Sequence, residues 1–357
     1  VTVSQFGIRL LCATAIFFAA EGAVFRTGLY TRVLEPDSSA GILRNLLEDE
    51  KERRSTGPRE VVAIGHSRMG LRPKDANALT SETGLTFATI AMPGSTPRCW
   101  YYMLRDVDPD ARRYAAILIG VDEYDDEDYE DLSNRESDIR YLAPLLRWRD
   151  VFEFVGSYSE WPMRWQAFRG AVFKGYAYRV DFQDFLVRHR WRMKRVEWAR
   201  RESATLRYNH PWGQDDVTGL SVDYRTRTIV FPPNATEPQK KHLRDVLLRE
   251  EIEQTGQRGK YHRQWYGRIA EHYRGSRTLL IFLQLPRGPI VRPRLIPAKT
   301  AAARDLAREY PNVRLLPDRA FDALEKPEYF GDAMHLNGRG GAEFSRVAAR
   351  EVAKVLR

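Results

Sequence analysis

Four short apolar runs constrain the fold of this chain more than any other feature. Residues 60–65 (EVVAIG), 86–92 (TFATIAM), 114–121 (YAAILIGV) and 277–285 (RTLLIFLQL) lack the polar alternation of a half-exposed strand. Runs this short suit strands of a parallel sheet buried on both faces. A fifth, shorter run lies at 313–316, and helical patterns at 98–107, 298–310 and 341–356 fall between or after them. In the last of these, Phe344, Val347, Ala348, Val352 and Val355 share one face, while Arg346, Arg350 and Lys354 fall on another. Strands alternating with helices predict an α/β class: a central parallel sheet flanked by helices in three layers.

The alternation fails between residues 124 and 276, where Trp, Tyr, Arg and Phe accumulate with helical patterning. A mainly helical insertion over 138–275 is expected, dividing the core into 58–137 and 276–357. One strand is predicted inside it at 223–231 (DYRTRTIVF), then a turn at Pro232, Pro233 and Asn234, and a helix from near Pro238. The helical spacing of Trp161, Trp165, Trp191 and Trp198 predicts that they pack in a core. Upstream, 31–57 reads as a charged linker helix ending in a turn at Ser55, Thr56, Gly57 and Pro58. Residues 1–30 hold an apolar stretch at 6–25, interrupted by Glu21, with Arg9 near one end. They are expected to form an uncleaved signal anchor or transmembrane helix, with Arg9 on the cytoplasmic side and the remaining chain periplasmic or extracellular.

The formal net charge of +9 favours an anionic partner without choosing one. The run from Arg188 to Arg201 reads as a solvated helix face, and no nucleic-acid-binding module accompanies it. Cys12 and Cys99 are not expected to pair. His189, His210, His242, His262 and His272 show no metal-ligand spacing, and no dinucleotide or phosphate-loop fingerprint occurs, so neither metal nor cofactor is predicted. Asp125, Asp126, Glu127, Asp128, Glu130 and Asp131 form an acidic run, expected to be a solvated loop.

Gly65-His66-Ser67-Arg68 directly follows the first core strand, at the carboxyl edge where open α/β sheets bind ligands. A serine there can expose its hydroxyl or cap a helix. Near the other end, Asp332-Ala333-Met334-His335 lets one short loop deliver a carboxylate and an imidazole, with the acid able to orient the ring. Asn337 is expected to cap the final helix. His66 is expected to be a local hydrogen-bonding residue.

In these two blocks and their order the sequence resembles the SGNH (GDSL-like) hydrolase superfamily, especially its membrane-anchored bacterial members that act at the cell surface. The resemblance covers residues 60–124 and 277–357. It implies an SGNH-like fold, with Ser67 as nucleophile and Asp332 and His335 as acid and base. It also implies an oxyanion hole from the amides of Ser67 and Gly94, the glycine of Ala91-Met92-Pro93-Gly94-Ser95. The third family block, usually G-x-N-D, is Gly120-Val121-Asp122-Glu123 here, so Asp122 stands where an oxyanion-donating Asn is usual. The implied function is an extracytoplasmic serine esterase or O-acyltransferase. Its substrate would be acylated cell-envelope polysaccharide or another ester, with a membrane-bound acyl donor protein as partner if it transfers. The alternative is an inactive SGNH-like envelope protein that binds polysaccharide or a membrane partner.

Overall fold

Among the residues that the computed structural model describes, 3–53, 59–128, 131–201 and 217–357, seven strands form. They are β1 (Glu60–Ile64), β2 (Thr86–Thr89), β3 (Ala116–Val121), β4 (Ser221–Asp223), β5 (Thr228–Val230), β6 (Leu279–Gln284) and β7 (Val313–Leu315). Five of them make one parallel sheet in the order β2-β1-β3-β6-β7. Val61 lies opposite Ala116, and Leu118 opposite Ile281. Val61, Ala63, Leu118, Ile281 and Leu283 point to one face, where they share a core with Phe344, Ala348 and Val352 of the Gly338–Leu356 helix. On the opposite face Phe282 meets Tyr266 of the Gln257–His272 helix, ring centroids 5.0 Å apart. Both faces are therefore covered, which is why these strands read as unbroken apolar runs. Each fully buried aliphatic side chain in them stabilises the fold by about 1.5–3 kcal/mol.

This confirms the α/β class with a parallel central sheet between helices. The expected helices also form, at Pro97–Val107, Ala302–Glu309 and Gly338–Leu356. The last is capped by Asn337, whose side-chain oxygen accepts from the Gly340 amide at 2.9 Å. A helix begins at Glu237 with Pro238 in its first turn, closed by a capping box between Thr236 and Gln239.

Several expectations are corrected. The predicted strand at 223–231 instead runs from the last residue of β4 through a turn and along β5, which pairs antiparallel with β4. Asp223 Oδ1 accepts from the amides of Arg225 and Thr226, so the chain turns where continuous extension was expected. The chain divides into two compact units, Val1–Glu52 with Ser133–Arg207, and Arg53–Leu132 with Tyr208–Arg357. The α/β unit thus keeps the hairpin and the 257–272 helix that were assigned to the insertion, because that helix covers a face of its sheet. The 31–57 segment is no free linker: the Ser39–Glu52 helix buries Leu43 and Leu47 in the helical unit. The turn at 55–58, Glu130 and His210 lie outside the described residues.

In the helical unit, Arg192 is buried among Asp181, Asp184 and Glu35, although much of the Arg179–Arg201 helix around it is exposed. Trp161, Trp165, Trp191 and Trp198 do not pack in a core. All four are exposed, since small residues such as Ala167 and Ala171 take the buried positions instead. Among the described residues one helix, Gln5–Phe25, is long and apolar enough to cross a membrane. Glu21 does not break it, because its carboxylate turns back to accept from the Gly175 amide at 3.2 Å and stands 3.7 Å from Arg26 Nε. Cys12, exposed on this helix, and the buried Cys99 are not joined in a disulfide.

Candidate functional site

From β1 the chain reaches β2 on one side and β3 on the other, so the loops that leave β1 and β3 flank a topological switch point, the place where open α/β sheets bind ligands. The loop after β1 is a tight turn in which the Met69 amide donates to His66 O at 3.0 Å. Ser67 occupies this turn rather than a helix cap; the next helix begins at Pro73. Two glycines make room beneath it. A Cβ on Gly65 would stand 2.8 Å from Met69 Cβ, and one on Gly120 2.5 Å from Met69 Sδ, so Met69 can cross under the turn between the ends of β1 and β3.

The Asp332 to His335 loop is closed by its own backbone. The Gly331 amide donates to His335 O at 2.9 Å, and Phe330 bridges Leu336. Asp332, 2% exposed, accepts from the Met334 and His335 amides through Oδ1, both at 2.7 Å. Its Oδ2 lies 2.8 Å from His335 Nδ1. With Nδ1 donating to this carboxylate, the lone pair of Nε2 faces Ser67 Oγ at 2.9 Å. The structure thus brings together Ser67, His335 and Asp332 across 268 residues of chain. That line of contacts can take a proton from the hydroxyl while the buried carboxylate balances the imidazolium.

Gly94 lies in the segment after β2 that stays tied to the end of β1. The Met92 amide donates to Gly65 O at 2.9 Å, and the Ser95 hydroxyl reaches the same oxygen at 3.2 Å. At φ +67°, Gly94 takes a backbone shape that side chains disfavour. Among the described residues, neither the Ser67 amide nor the Gly94 amide has an acceptor within the chain.

Asp122, after β3, is engaged on both oxygens. Oδ1 accepts from His66 Nε2 at 3.0 Å and Arg68 Nη1 at 2.8 Å, and Oδ2 accepts from Arg258 Nη2 at 3.1 Å. The Arg68 amide donates to His66 Nδ1 at 3.2 Å, which leaves the His66 Nε2 proton for Asp122. Burial pushes the Asp122 carboxyl up, but His66, Arg68 and Arg258 outweigh it and hold the group well below the usual carboxylate range. An ionised acceptor cannot donate to an oxyanion. The carboxylate instead fixes Arg68, whose Nη2 also donates to Pro286 O at 2.6 Å and Arg287 O at 3.1 Å.

The first part of the acidic run, residues 125–128, is held by partners rather than forming a solvated loop, while Asp131 is exposed. Asp126 pairs with His262 and accepts from the Ala302 amide at 2.9 Å and the Thr300 hydroxyl at 3.1 Å. Asp128 accepts from the Gly256 and Arg258 amides, at 2.7 and 2.8 Å, at the start of the 257–272 helix. That second contact helps carry Arg258 to Asp122. Asp125 binds Arg304.

Three residues of the site escaped sequence reasoning. Arg68 could have been suspected from its place beside Ser67. Arg258 and His242, whose Nε2 lies 3.8 Å from Asp332 Oδ2, carry no local signal. Compared with protein-family models the chain matches none, and no curated protein matches it either, so the chemistry has to be read from these contacts.

Proposed function

We propose that this chain is a membrane-anchored SGNH-type serine esterase or O-acyltransferase acting outside the cytoplasm on acylated cell-envelope polysaccharide. The observation that carries the reading is the convergence of Ser67, His335 and Asp332 at the carboxyl edge of the sheet, together with Ser67 and Gly94 amides that have no acceptor among the described residues. Ser67 Oγ attacks the acyl carbonyl carbon as its proton passes to His335 Nε2. The amides of Ser67 and Gly94 receive the developing oxyanion. Collapse of the tetrahedral intermediate breaks the ester bond, and His335 returns the proton to the departing alcohol. In the second half, water or a sugar hydroxyl gives its proton to His335 and attacks the acyl-Ser67, releasing acid or a new ester and restoring the serine. In transfer, a membrane-bound protein supplies the acyl group. The apolar Gln5–Phe25 helix supports the anchored placement.

The test is reaction of the full-length protein with a fluorophosphonate probe. The intact protein labels and the Ser67→Ala variant does not. An intact protein that neither labels nor turns over acyl esters would overturn the enzymatic reading in favour of a polysaccharide-binding envelope protein.

A further inference from the structure

The helical unit carries a surface that the chemistry at Ser67 does not use. Phe152 is 87% exposed and Trp161 74%, and Trp148 and Trp165 are each exposed by half or more. These large aromatic side chains lie on the Trp148–Asp150 turn, the Val151–Gly156 helix and the Trp161–Val172 helix, of which the first and last reach the apolar helix or Arg26 just past its end. Phe17 and Phe18 of that helix meet Phe173, with ring centroids 6.2 and 5.5 Å away. Arg26, just past its end, stacks 3.7 Å over the Trp148 ring and donates to the carbonyls of Ala171 and Val172. The Trp161–Val172 helix, which leads into Phe173, turns Trp161 and Trp165 outward on one stripe and buries Ala167, Gly170 and Ala171 on the other.

Depth follows from these contacts. Phe17 and Phe18 stand seven or eight residues before Phe25, about 10–12 Å along a helix rising 1.5 Å per residue. If Gln5–Phe25 crosses a bilayer, Phe173 lies below the level of the helix end, so the helix that runs into it ends in the upper acyl region, while Trp148, stacked against Arg26, stands near the level of the helix end. Trp and Tyr with cationic neighbours are the side chains that favour the lipid boundary. Arg147, Arg149, Arg164 and Arg169 stand on the same helices or turns, with the Arg169 guanidinium over both Trp165 and Tyr176.

We infer that the helical unit is seated in the headgroup and upper acyl region of an anionic phospholipid bilayer through Trp148, Phe152, Trp161 and Trp165. The anchor is therefore a spanning helix with a wedge beside it, not a tether. This rests on the membrane part of the function proposed above and is independent of catalysis.

The experiment uses the full chain, one copy per nanodisc of phosphatidylcholine with phosphatidylglycerol. An environment-sensitive fluorophore is placed at Phe152→Cys or Trp161→Cys in a Cys12→Ser background; native Cys12 is labelled in a parallel sample. Cys99 is buried and stays unlabelled. The labels at 152 and 161 should lose emission to spin-labelled lipid, resist aqueous iodide, and respond more strongly as the anionic lipid fraction rises. Quenching at Cys12 with iodide-accessible labels at 152 and 161 would overturn the wedge and leave the anchor standing. No lipid quenching at any of the three would overturn both. Protection that appears only when two copies share a disc would assign the surface to a second copy and also overturn the inference.

Discussion

Replacing Asp332 by Asn separates a proton relay from a merely structural loop. The Asn side-chain oxygen can keep both contacts now made by Oδ1, from the Met334 and His335 amides, so the loop should hold its shape. The amide nitrogen then stands where Oδ2 receives His335 Nδ1 at 2.8 Å, and two donors would face each other. The imidazole relieves this by moving its proton to Nε2, which removes the lone pair facing Ser67 Oγ. Loss of the correct tautomer in such a triad lowers turnover by about 10⁴-fold, equivalent to about 5 kcal/mol of barrier. The fold loses one hydrogen bond to a charged group, about 1.5–3 kcal/mol. Labelling rate with the fluorophosphonate probe and thermal melting, measured side by side at pH 7, should therefore diverge: a collapse in rate with a moderate fall in Tm. A variant that melts lower but labels within about tenfold of the parent would refute the relay and leave Asp332 as a loop staple.

Asp122→Asn should destabilise the protein rather than activate it, although it restores the residue usual in the resembled family. Because the Asp122 pKa is depressed in the fold, its ionised form stabilises the native state above the unfolded value of 3.8, and that contribution fades as pH falls through the folded value. The stability difference between parent and variant, read from melting, should be widest near neutrality, about 1–2 kcal/mol after allowance for the side chain's 32% exposure, and should narrow below pH 3.8; a gap that widens in acid would contradict this. Gly340→Ala would place a Cβ 2.1 Å from Tyr329 O, a backbone atom, and should cost about 1–3 kcal/mol and abolish labelling by displacing the Asp332 to His335 loop. Gly338→Ala, whose nearest neighbour is the Arg72 side chain at 3.6 Å, should leave both measurements almost unchanged.

What the sequence made legible was local. The β1, β3 and β6 runs announced themselves because a strand covered on both faces needs apolar side chains at every position. The Asp332 and His335 pair could be read because one turn supplies both groups. What stayed hidden depends on partners distant along the chain. Asp126 and Asp128 looked like solvated charge until His262, Thr300 and Arg258 came to meet them. Trp161 and Trp165 have the spacing of a buried stripe, and spacing alone cannot distinguish a face turned to a core from one turned outward. Residues 257–272 looked like part of the insertion because a covering helix carries no mark of the sheet that it covers.

The departure at Asp122 acquires a physical sense from this arrangement. A bare carboxylate in the crevice after β3 would oppose an anion forming at Ser67. Here the charge is surrounded by His66, Arg68 and Arg258, so the cluster as a whole is not anionic. Arg258 reaches it partly because Asp128 holds the start of its helix, and Arg68 because it follows Ser67 directly. On the proposed reading, the third oxyanion donor has been exchanged for an ion cluster that braces the nucleophile turn. The two amides of Ser67 and Gly94 are then left as the donors that face the substrate. Such a site trades part of its transition-state stabilisation for rigidity at the serine, and acylation and deacylation, which both pass through an oxyanion, should be slowed alike.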